Sequence, residues 1–239
     1  MEFLKKFIIL AAIFVLVSEV VLVIYHYQLS TNIKPKTNPP QKTTTTQVSP
    51  SYSNPSSTSQ GTATAAKYYY PISSYDSRLT FRYYGLYVTP EQQAEPCGAA
   101  FTGYHDGDDL ETTAAEQGIA VPVYAIADGV VKELNYVQGY GGLLVLGTMM
   151  NSQNYTIYYG HIDLASATVA NGEAVTAGEK LADLGAACST QTDGERKHLH
   201  FAIHKGTTID VRGYVPDVTT LANWVDPKVF LANLGAQSK

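Results

Sequence analysis

The sequence predicts an all-β domain of antiparallel strands in a barrel-sandwich arrangement, preceded by one transmembrane helix and a disordered linker. Three observations predict this order. Residues 7–25 are almost continuously apolar, residues 26–66 are rich in Ser, Thr and Pro, and residues 67–239 alternate short apolar runs with glycine-containing turns. Long helical periodicity is absent from the sequence of this last region, so we expect many short paired strands there.

The composition of the chain narrows the possible functions. Its 239 residues are enough for one sizeable domain with appendages. The net charge of −5 argues against a general nucleic-acid role, because phosphate binding requires a basic face. We therefore expect no nucleic-acid partner, and the sequence leaves the oligomeric state open.

Residues 7–25 have the length of a membrane-spanning helix. At a rise of ~1.5 Å per residue they nearly cross a hydrocarbon layer of ~30 Å. A cleaved signal peptide is the alternative, but it has a shorter apolar stretch and a small-residue cleavage site, which is not evident here. We favour an uncleaved signal-anchor. Lys5 and Lys6 indicate that residues 1–6 are cytoplasmic, so we expect a single-pass protein of the cell membrane with an extracytoplasmic domain.

Residues 26–66 read as a flexible tether between the membrane and the folded domain. Their Ser, Thr, Pro, Asn and Gln content offers too little apolar surface for a core, so we expect disorder. A tether of this kind would let the domain of residues 67–239 reach away from the membrane.

Short apolar runs within residues 67–239 mark the expected strands. Asp128-Gly129 and residues 139–142 are turn signals, and residues 175–185 are interpreted as a tight hairpin or a bend with an exposed tip. Asp226-Pro227 predicts the start of a short C-terminal helix, because Pro suits the first helical turn. The strand candidates are residues 122–127, 130–134, 143–146, 155–162 and 200–204.

His198 and His200 are the first candidate functional residues. Residues two apart on a strand point to the same face, so both imidazoles enter one space while Leu199 and Phe201 face the packed side. A buried imidazole must find polar partners, so two on one face are rarely mere packing. His204 shares this face, but its place near the strand end predicts a surface residue.

His105 and Asp109 form a second pair four residues apart. In an extended chain they share a face with Gly107 between them, and the missing side chain there would leave room for a metal. Imidazole and carboxylate ligands suit zinc, and a catalytic zinc keeps three protein ligands and one position for water. We expect Asp106 and Asp108 to be solvated turn carboxylates. Calcium is disfavoured because the acidic run lacks the glycine that an EF-hand loop needs at its sixth position.

The three separated motifs together resemble a known family. His105-x-Gly107-x-Asp109, then Tyr159-Gly160-His161, then His198-Leu199-His200-Phe201 are similar to the motifs of the lysostaphin-type (LytM-like) zinc metalloendopeptidases of peptidoglycan. The likeness covers residues 98–206 best and extends to the intervening glycine turns. It implies a duplicated hybrid motif core, zinc as cofactor, and as substrate the peptide cross-links or stem peptides of the cell wall.

The resemblance also implies roles for individual residues. His105, Asp109 and His200 are the implied zinc ligands, and His161 and His198 are the implied catalytic pair that does not bind the metal. One of the pair would accept the proton of the water and the other would bond the oxyanion, in an order that the sequence leaves open. Tyr159 has two interpretations, a side chain lining the groove or a packed strand tyrosine.

Two alternative functions and the bonding state of the two cysteines stay open at this point. A regulator or scaffold of another wall hydrolase would keep the fold without activity. A biotinyl or lipoyl carrier has a similar glycine-rich hairpin, but Lys180 lies off the expected tip of residues 175–185. Cys97 and Cys188 are either two free thiols or one disulfide, and an extracytoplasmic domain permits the disulfide.

Overall fold

The structure is a computed structural model in which residues 68–92, 97–98 and 100–239 are described. The expected cytoplasmic tail, apolar run and linker, residues 1–66, lie outside the described residues. None of the helices within the described ranges is long and apolar enough to cross a membrane.

Antiparallel strands dominate the described residues, which confirms the all-β prediction. The strands are β1 Tyr87–Val88, β2 Gly103–His105, β3 Gly107–Glu111, β4 Pro122–Tyr124, β5 Gly129–Val137, β6 Gly141–Met150, β7 Gln153–Gly160, β8 Ile162–Asp163, β9 Ala174–Val175, β10 Lys180–Leu184, β11 His198–Lys205, β12 Tyr214–Val215 and β13 Trp224–Val225. The helices are α1 Tyr75–Arg78, α2 Val218–Leu221 and α3 Pro227–Leu234, with 3₁₀ turns at Pro90–Gln92, Ala114–Glu116, Leu164–Ser166 and Thr190–Thr192.

A large antiparallel sheet forms the centre of the domain. Its strand order is β13-β11-β7-β6-β5-β9, and β3 pairs with β11 on the edge that β13 also uses. Two three-stranded sheets, β1-β2-β12 and β4-β10-β8, lie outside this path. The strand β11 therefore has neighbours on both sides, with β7 on one and β3 and β13 on the other.

The central sheet is buried on both faces. Along β6, Leu144 and Leu146 enter one apolar cluster, and Leu143 and Val145 enter a second cluster on the opposite face. Successive side chains of a strand alternate between faces, so burial of both explains the unbroken apolar run at residues 143–146. The second cluster contains Trp224 and helps to close the domain at its C-terminal end.

Two of the predicted turns do not join paired strands. The strand β4 pairs with β10 and not with β5, because the chain is held at Ala125, whose N–H donates to Glu179 O over 2.9 Å. Residues 175–185 form the bend and not the hairpin of the two predicted alternatives, since β9 pairs with β5 while β10 pairs with β4 and β8. The hairpin of β5 and β6 around residues 139–142 is confirmed.

The predicted C-terminal helix is confirmed as α3. Pro227 occupies its first turn, and the Asp226 carboxylate accepts a hydrogen bond from the Val229 N–H over 3.1 Å. Gly235 ends the helix with φ 66°, a left-handed conformation that glycine adopts without steric cost.

An ion pair fastens the start of the domain to the loop after β3. The Arg78 guanidinium donates two hydrogen bonds, of 2.6 and 2.9 Å, to the Glu116 carboxylate and another of 2.9 Å to the Glu111 carbonyl. Arg78 is buried, and its hydrogen bonds are the main cause that lowers the pKa of Glu116 from 4.5 to about 2.

Replacing Glu116 with Gln should lower the free energy of unfolding by about 1 kcal/mol near neutral pH, the upper end for partly exposed ion pairs. The lowered pKa means that the stabilisation is complete above pH 4.5 and is lost as the pH falls through about 2. In urea unfolding, the variant should therefore be less stable than wild type near neutral pH. The two proteins should have the same stability near pH 2. Glu133→Gln on β5 is the matched control, and an equal loss in that variant would contradict the assignment.

Candidate metal centre

The histidines of β11 lie side by side, as their spacing predicts. Main-chain pairing places His200 opposite Asp109 of β3 on one side and Gly160 of β7 on the other. Both His198 and His200 are buried, with 2% and 4% of their surface exposed. A strand held by neighbours on both sides fixes the two imidazoles firmly.

The chain from His105 to Asp109 changes sheets on its way through the site. His105 ends β2 in a three-stranded sheet, and Asp109 lies in β3 of the central sheet. A Cβ atom on Gly107 would overlap the carbonyl oxygen of Phe201 on β11. Gly107 therefore permits close approach of two strands, and the expectation that it leaves room for a metal is wrong.

Three side chains converge on one point. His105 Nε2 and His200 Nδ1 are 3.0 Å apart, and each lies 3.2 Å from Asp109 Oδ1. These three residues form a buried group that is able to hold a metal ion. Ligand atoms on a tetrahedral zinc are about 3.3 Å apart when each bond is about 2.0 Å, so the triangle fits that ion. Two ring nitrogens that face each other and one carboxylate oxygen also form a donor set that zinc prefers.

Arg196 holds the other oxygen of the Asp109 carboxylate. Its Nη2 donates to Asp109 Oδ2 over 2.7 Å, and the guanidinium also donates to both oxygens of Glu111. Burial alone would raise the pKa of Asp109, but His105, His198 and Arg196 outweigh it and hold the pKa well below its usual range. The carboxylate is therefore charged, with Oδ1 directed at the two imidazoles.

His161 joins the site from the position directly after the end of β7. Its φ of 63° interrupts the strand alternation, and two main-chain hydrogen bonds fix it, from His161 N to Tyr140 O at 3.1 Å and from Gly185 N to His161 O at 2.8 Å. The His161 ring lies 4.4 Å from that of His198. Tyr159, within β7, packs in the first apolar cluster, where its hydroxyl accepts a hydrogen bond from Ile126 N–H. Of its two interpretations, packing is the one confirmed.

The two remaining histidines have different surroundings. Burial, followed by repulsion from His198 and His200, lowers the pKa of His161 well below its usual value, so this ring is neutral. His198 Nδ1 lies 2.9 Å from the Arg196 carbonyl oxygen, so this nitrogen carries a proton. Its Nε2 lies 3.4 Å from Asp109 Oδ2.

This geometry agrees with a family match. Residues 103–211 match peptidase family M23. All three motifs fall within the matched residues. The resemblance predicted from the three motifs is thereby confirmed, and we call residues 103–211 the M23 region.

Individual relatives match parts of the chain. An uncharacterised lipoprotein of Escherichia coli (strain K12), YgeR, is 37% identical over 97 residues, which are 40% of this chain and 35% of that protein. The chain thus spans about a third of this relative.

Three solved structures are also similar to the chain. LytU is 26% identical, with 65% of this chain and 85% of that one covered and a TM-score of 0.44. Lysostaphin of Staphylococcus simulans is 21% identical, with coverage of 69% and 54% and a TM-score of 0.43. A zinc-containing peptidase from Vibrio cholerae is 26% identical, with coverage of 59% and 37% and a TM-score of 0.37.

A segment ahead of the M23 region braces the strands that carry His105 and Asp109. Arg82 O accepts a hydrogen bond of 2.9 Å from Asp109 N, Gly85 N donates to His105 O over 2.8 Å, and His105 N donates to Leu86 O over 2.9 Å. We call residues 82–86 the brace. Two residues of the candidate metal centre therefore owe their backbone positions to chain outside the matched region.

The Asp108 carboxylate is hydrogen-bonded to the brace and is not the solvated carboxylate that was expected. It is 1% exposed, and its two oxygens accept hydrogen bonds from Tyr75 Oη over 2.6 Å and Tyr84 N over 2.9 Å. Asp106 is fully buried too, so the same expectation is wrong for both. The error arose because alternating Gly and Asp residues resemble an exposed turn, whereas here they cross between two sheets.

Other side chains around the site carried no strong signal in the sequence. Phe101 and Tyr214 stack with ring centres 5.0 Å apart at the mouth of the pocket, and Tyr140 packs against His200 at 5.2 Å. His204 is buried against Trp224 at 4.7 Å, so the prediction of a surface residue is wrong. The pocket of the M23 region is lined by Arg82, Phe101, Asp109, Gln138, Gly139, Tyr140, His161, Glu195, His198, His200, Val211, Arg212, Gly213 and Tyr214.

The two cysteines form a disulfide, which decides between the alternatives. Cys97 and Cys188 are bonded, with their Cα atoms 5.5 Å apart. Cys188 N donates to Glu195 O over 2.9 Å, so the bridge is continuous with the loop that leads to Arg196 and β11. The disulfide links the segment that precedes His105 to the segment that precedes His198.

Lys180 does not have the position of a carrier lysine. It begins β10, two residues after Gly178 in the bend, and its Nζ lies 2.9 Å from Asp183 Oδ2. A lysine paired with a carboxylate on its own strand is not presented for modification at an exposed tip.

Proposed function

We propose that the chain is a membrane-anchored zinc metalloendopeptidase that hydrolyses peptide bonds in the cross-links or stem peptides of peptidoglycan. The observation that carries the proposal is the triangle of His105 Nε2, Asp109 Oδ1 and His200 Nδ1, whose edges are 3.0, 3.2 and 3.2 Å, beside two further imidazoles. His105, Asp109 and His200 are the proposed ligands, and His161 and His198 are the proposed catalytic pair. The barrel-sandwich core with a duplicated hybrid motif belongs to the same proposal.

His105, Asp109 and His200 would hold a zinc ion, which would supply a Lewis acid for the scissile carbonyl and would lower the pKa of a water towards ~7. His198 is suited to accept the proton of that water, because its Nδ1 faces the Arg196 carbonyl and its Nε2 is left with the lone pair. Its Nε2 also faces the candidate metal centre, near Asp109 Oδ2.

His161 is suited to stabilise the oxyanion that develops on the scissile carbonyl. Its lowered pKa makes it a neutral ring at physiological pH, and a neutral imidazole donates one hydrogen bond without bringing a charge that would repel the cation. Its backbone is fixed by Tyr140 and Gly185, so the donor is positioned before substrate arrives.

The substrate and the location are supported by different observations. The motifs resemble those of peptidoglycan peptidases, and the stacked pair Phe101 and Tyr214 offers an apolar wall for a peptide chain. The apolar run at residues 7–25 and the linker of residues 26–66 suit an enzyme that reaches an immobile wall from a single-pass anchor. The disulfide supports an extracytoplasmic domain, since such bonds persist in oxidising compartments.

Zinc analysis and wall digestion test the proposal on the purified full-length protein. We expect about one zinc per chain, release of new amino termini from cross-linked peptidoglycan, loss of turnover after chelation and its return with added zinc. A protein that takes up no zinc would contradict the proposal. One that binds zinc but releases no amino termini would indicate the regulator or scaffold function instead.

A further inference from the structure

Asp106 is a buried carboxylate whose position the proposed reaction leaves unexplained. It is fully buried, and neither of its side-chain oxygens has a hydrogen-bond partner among the described residues. Its backbone is fixed between β2 and β3 by a hydrogen bond of 3.1 Å from Asp106 N to Gly213 O. Burying a carboxylate away from water is costly unless a charge or hydrogen-bond donor compensates it.

A ring nitrogen of His200 faces this carboxylate. Asp106 Oδ1 lies 3.3 Å from His200 Nε2, the ring nitrogen on the side away from Asp109. His200 Nε2 also has no hydrogen-bond partner in the described part of the chain. The imidazole therefore lies between two carboxylates, with one facing each nitrogen.

The surroundings strengthen this contact. Tyr140 covers the His200 ring edge-on at 5.2 Å, and its ring also passes over Gly160, where a Cβ would overlap it. Asp106 has no exposed surface, so its interaction with His200 acts in a medium of lower dielectric constant than water. The guanidinium of Arg196 donates to both Asp109 and Glu111, so its charge is shared between these two carboxylates.

We propose that Asp106 is a positioning residue of the metal centre, whose carboxylate accepts the Nε2 proton of His200 so that the Nδ1 lone pair faces the cation. The inference rests on the proposed zinc centre and names an outer partner for one of its ligands. A histidine that binds a metal through one nitrogen donates its other N–H to an oxygen, which fixes the tautomer and ring orientation. Asp106 is placed on the remote side of the ring, so it acts through His200 and not as a ligand.

Zinc affinity and histidine NMR test the inference together. Chelator competition should show 10–100-fold weaker zinc binding for Asp106→Leu, the range found for loss of such partners, and a smaller loss for Asp106→Asn. In the zinc-loaded wild type, ¹⁵N-histidine spectra should show His200 protonated on Nε2 with a slowly exchanging, downfield proton. That resonance should move upfield in Asp106→Asn, a change that a merely structural role would not produce.

The control and the contrary outcomes separate this inference from the proposed function. Asp183→Asn changes a carboxylate on β10, paired with Lys180, and should leave zinc affinity unchanged. If the wild-type protein binds no zinc, the proposed function is wrong. Zinc-loaded, active wild type whose His200 lacks a proton on Nε2 would overturn the role of Asp106 alone, even if the Asp106 variants fail to fold. Unchanged affinity in folded Asp106→Leu would overturn it as well.

Discussion

Replacing His161 with Ala should abolish hydrolysis while zinc stays bound, whereas replacing His200 with Ala should abolish both. His161 lies beside the triangle of ligand atoms but contributes none of them, since its nearest ring contact is with His198. Loss of a positioned acid, base or oxyanion donor typically costs 10²–10⁴-fold in rate. Loss of His200 removes one of three ligands and leaves Asp109 and His105 facing a gap, so metal content should fall with activity. Asp109→Ala should behave as His200→Ala does.

Metal content of each purified variant and turnover of cross-linked wall are the two measurements. His204→Gln is the matched control, because this histidine occupies the same strand and face as His200 but packs against Trp224 outside the triangle. It should keep both zinc and turnover. A folded His161→Ala protein that lacked zinc would show that the ligand set is wrong.

Removing the disulfide should cost about 2–5 kcal/mol of unfolding free energy, the usual range for a native bridge. The bond joins residues 91 apart, and closing so long a loop restricts the unfolded chain strongly. It also fastens the loop that carries Arg196, which holds Asp109 Oδ2. A Cys97→Ser, Cys188→Ser double variant should therefore unfold at lower urea concentration and bind zinc less tightly than wild type.

The reduced wild-type protein provides the comparison for this experiment. Reductant should bring wild type to the stability of the double variant and leave the double variant unchanged. Equal stability of oxidised wild type and the double variant would show that the disulfide contributes nothing to the free energy of unfolding.

Regular spacing made part of the candidate site predictable. His198 and His200 follow strand alternation, and β11 is flanked on both sides, so the rule applied without exception. The apolar run at residues 143–146 likewise predicted a buried strand, and Asp226-Pro227 predicted the start of α3. In each case a local pattern was sufficient because the fold placed no irregularity there.

Other features depend on contacts between distant parts of the chain. His161 leaves the alternation through a positive φ that Tyr140 and Gly185 stabilise, and neither residue signals this in the local sequence. Asp106 and Asp108 look exposed in a run of Gly and Asp, yet they are buried by residues 75–84 and by β11. Turn signals in the sequence indicate only which consecutive strands pair. They could not predict that β4 pairs with the distant strand β10.

The brace sets the boundary of the smallest fragment suitable for recombinant work. A piece cut to residues 103–211 would leave Asp109 N and His105 N without their acceptors and the Asp108 carboxylate without Tyr75 and Tyr84. It would also lack α3 and β13, which pack on β11. The family match therefore covers a shorter unit than the folded domain. Tyr68 O accepts a hydrogen bond of 2.8 Å from Gln237 N, so an excised domain should include Tyr68.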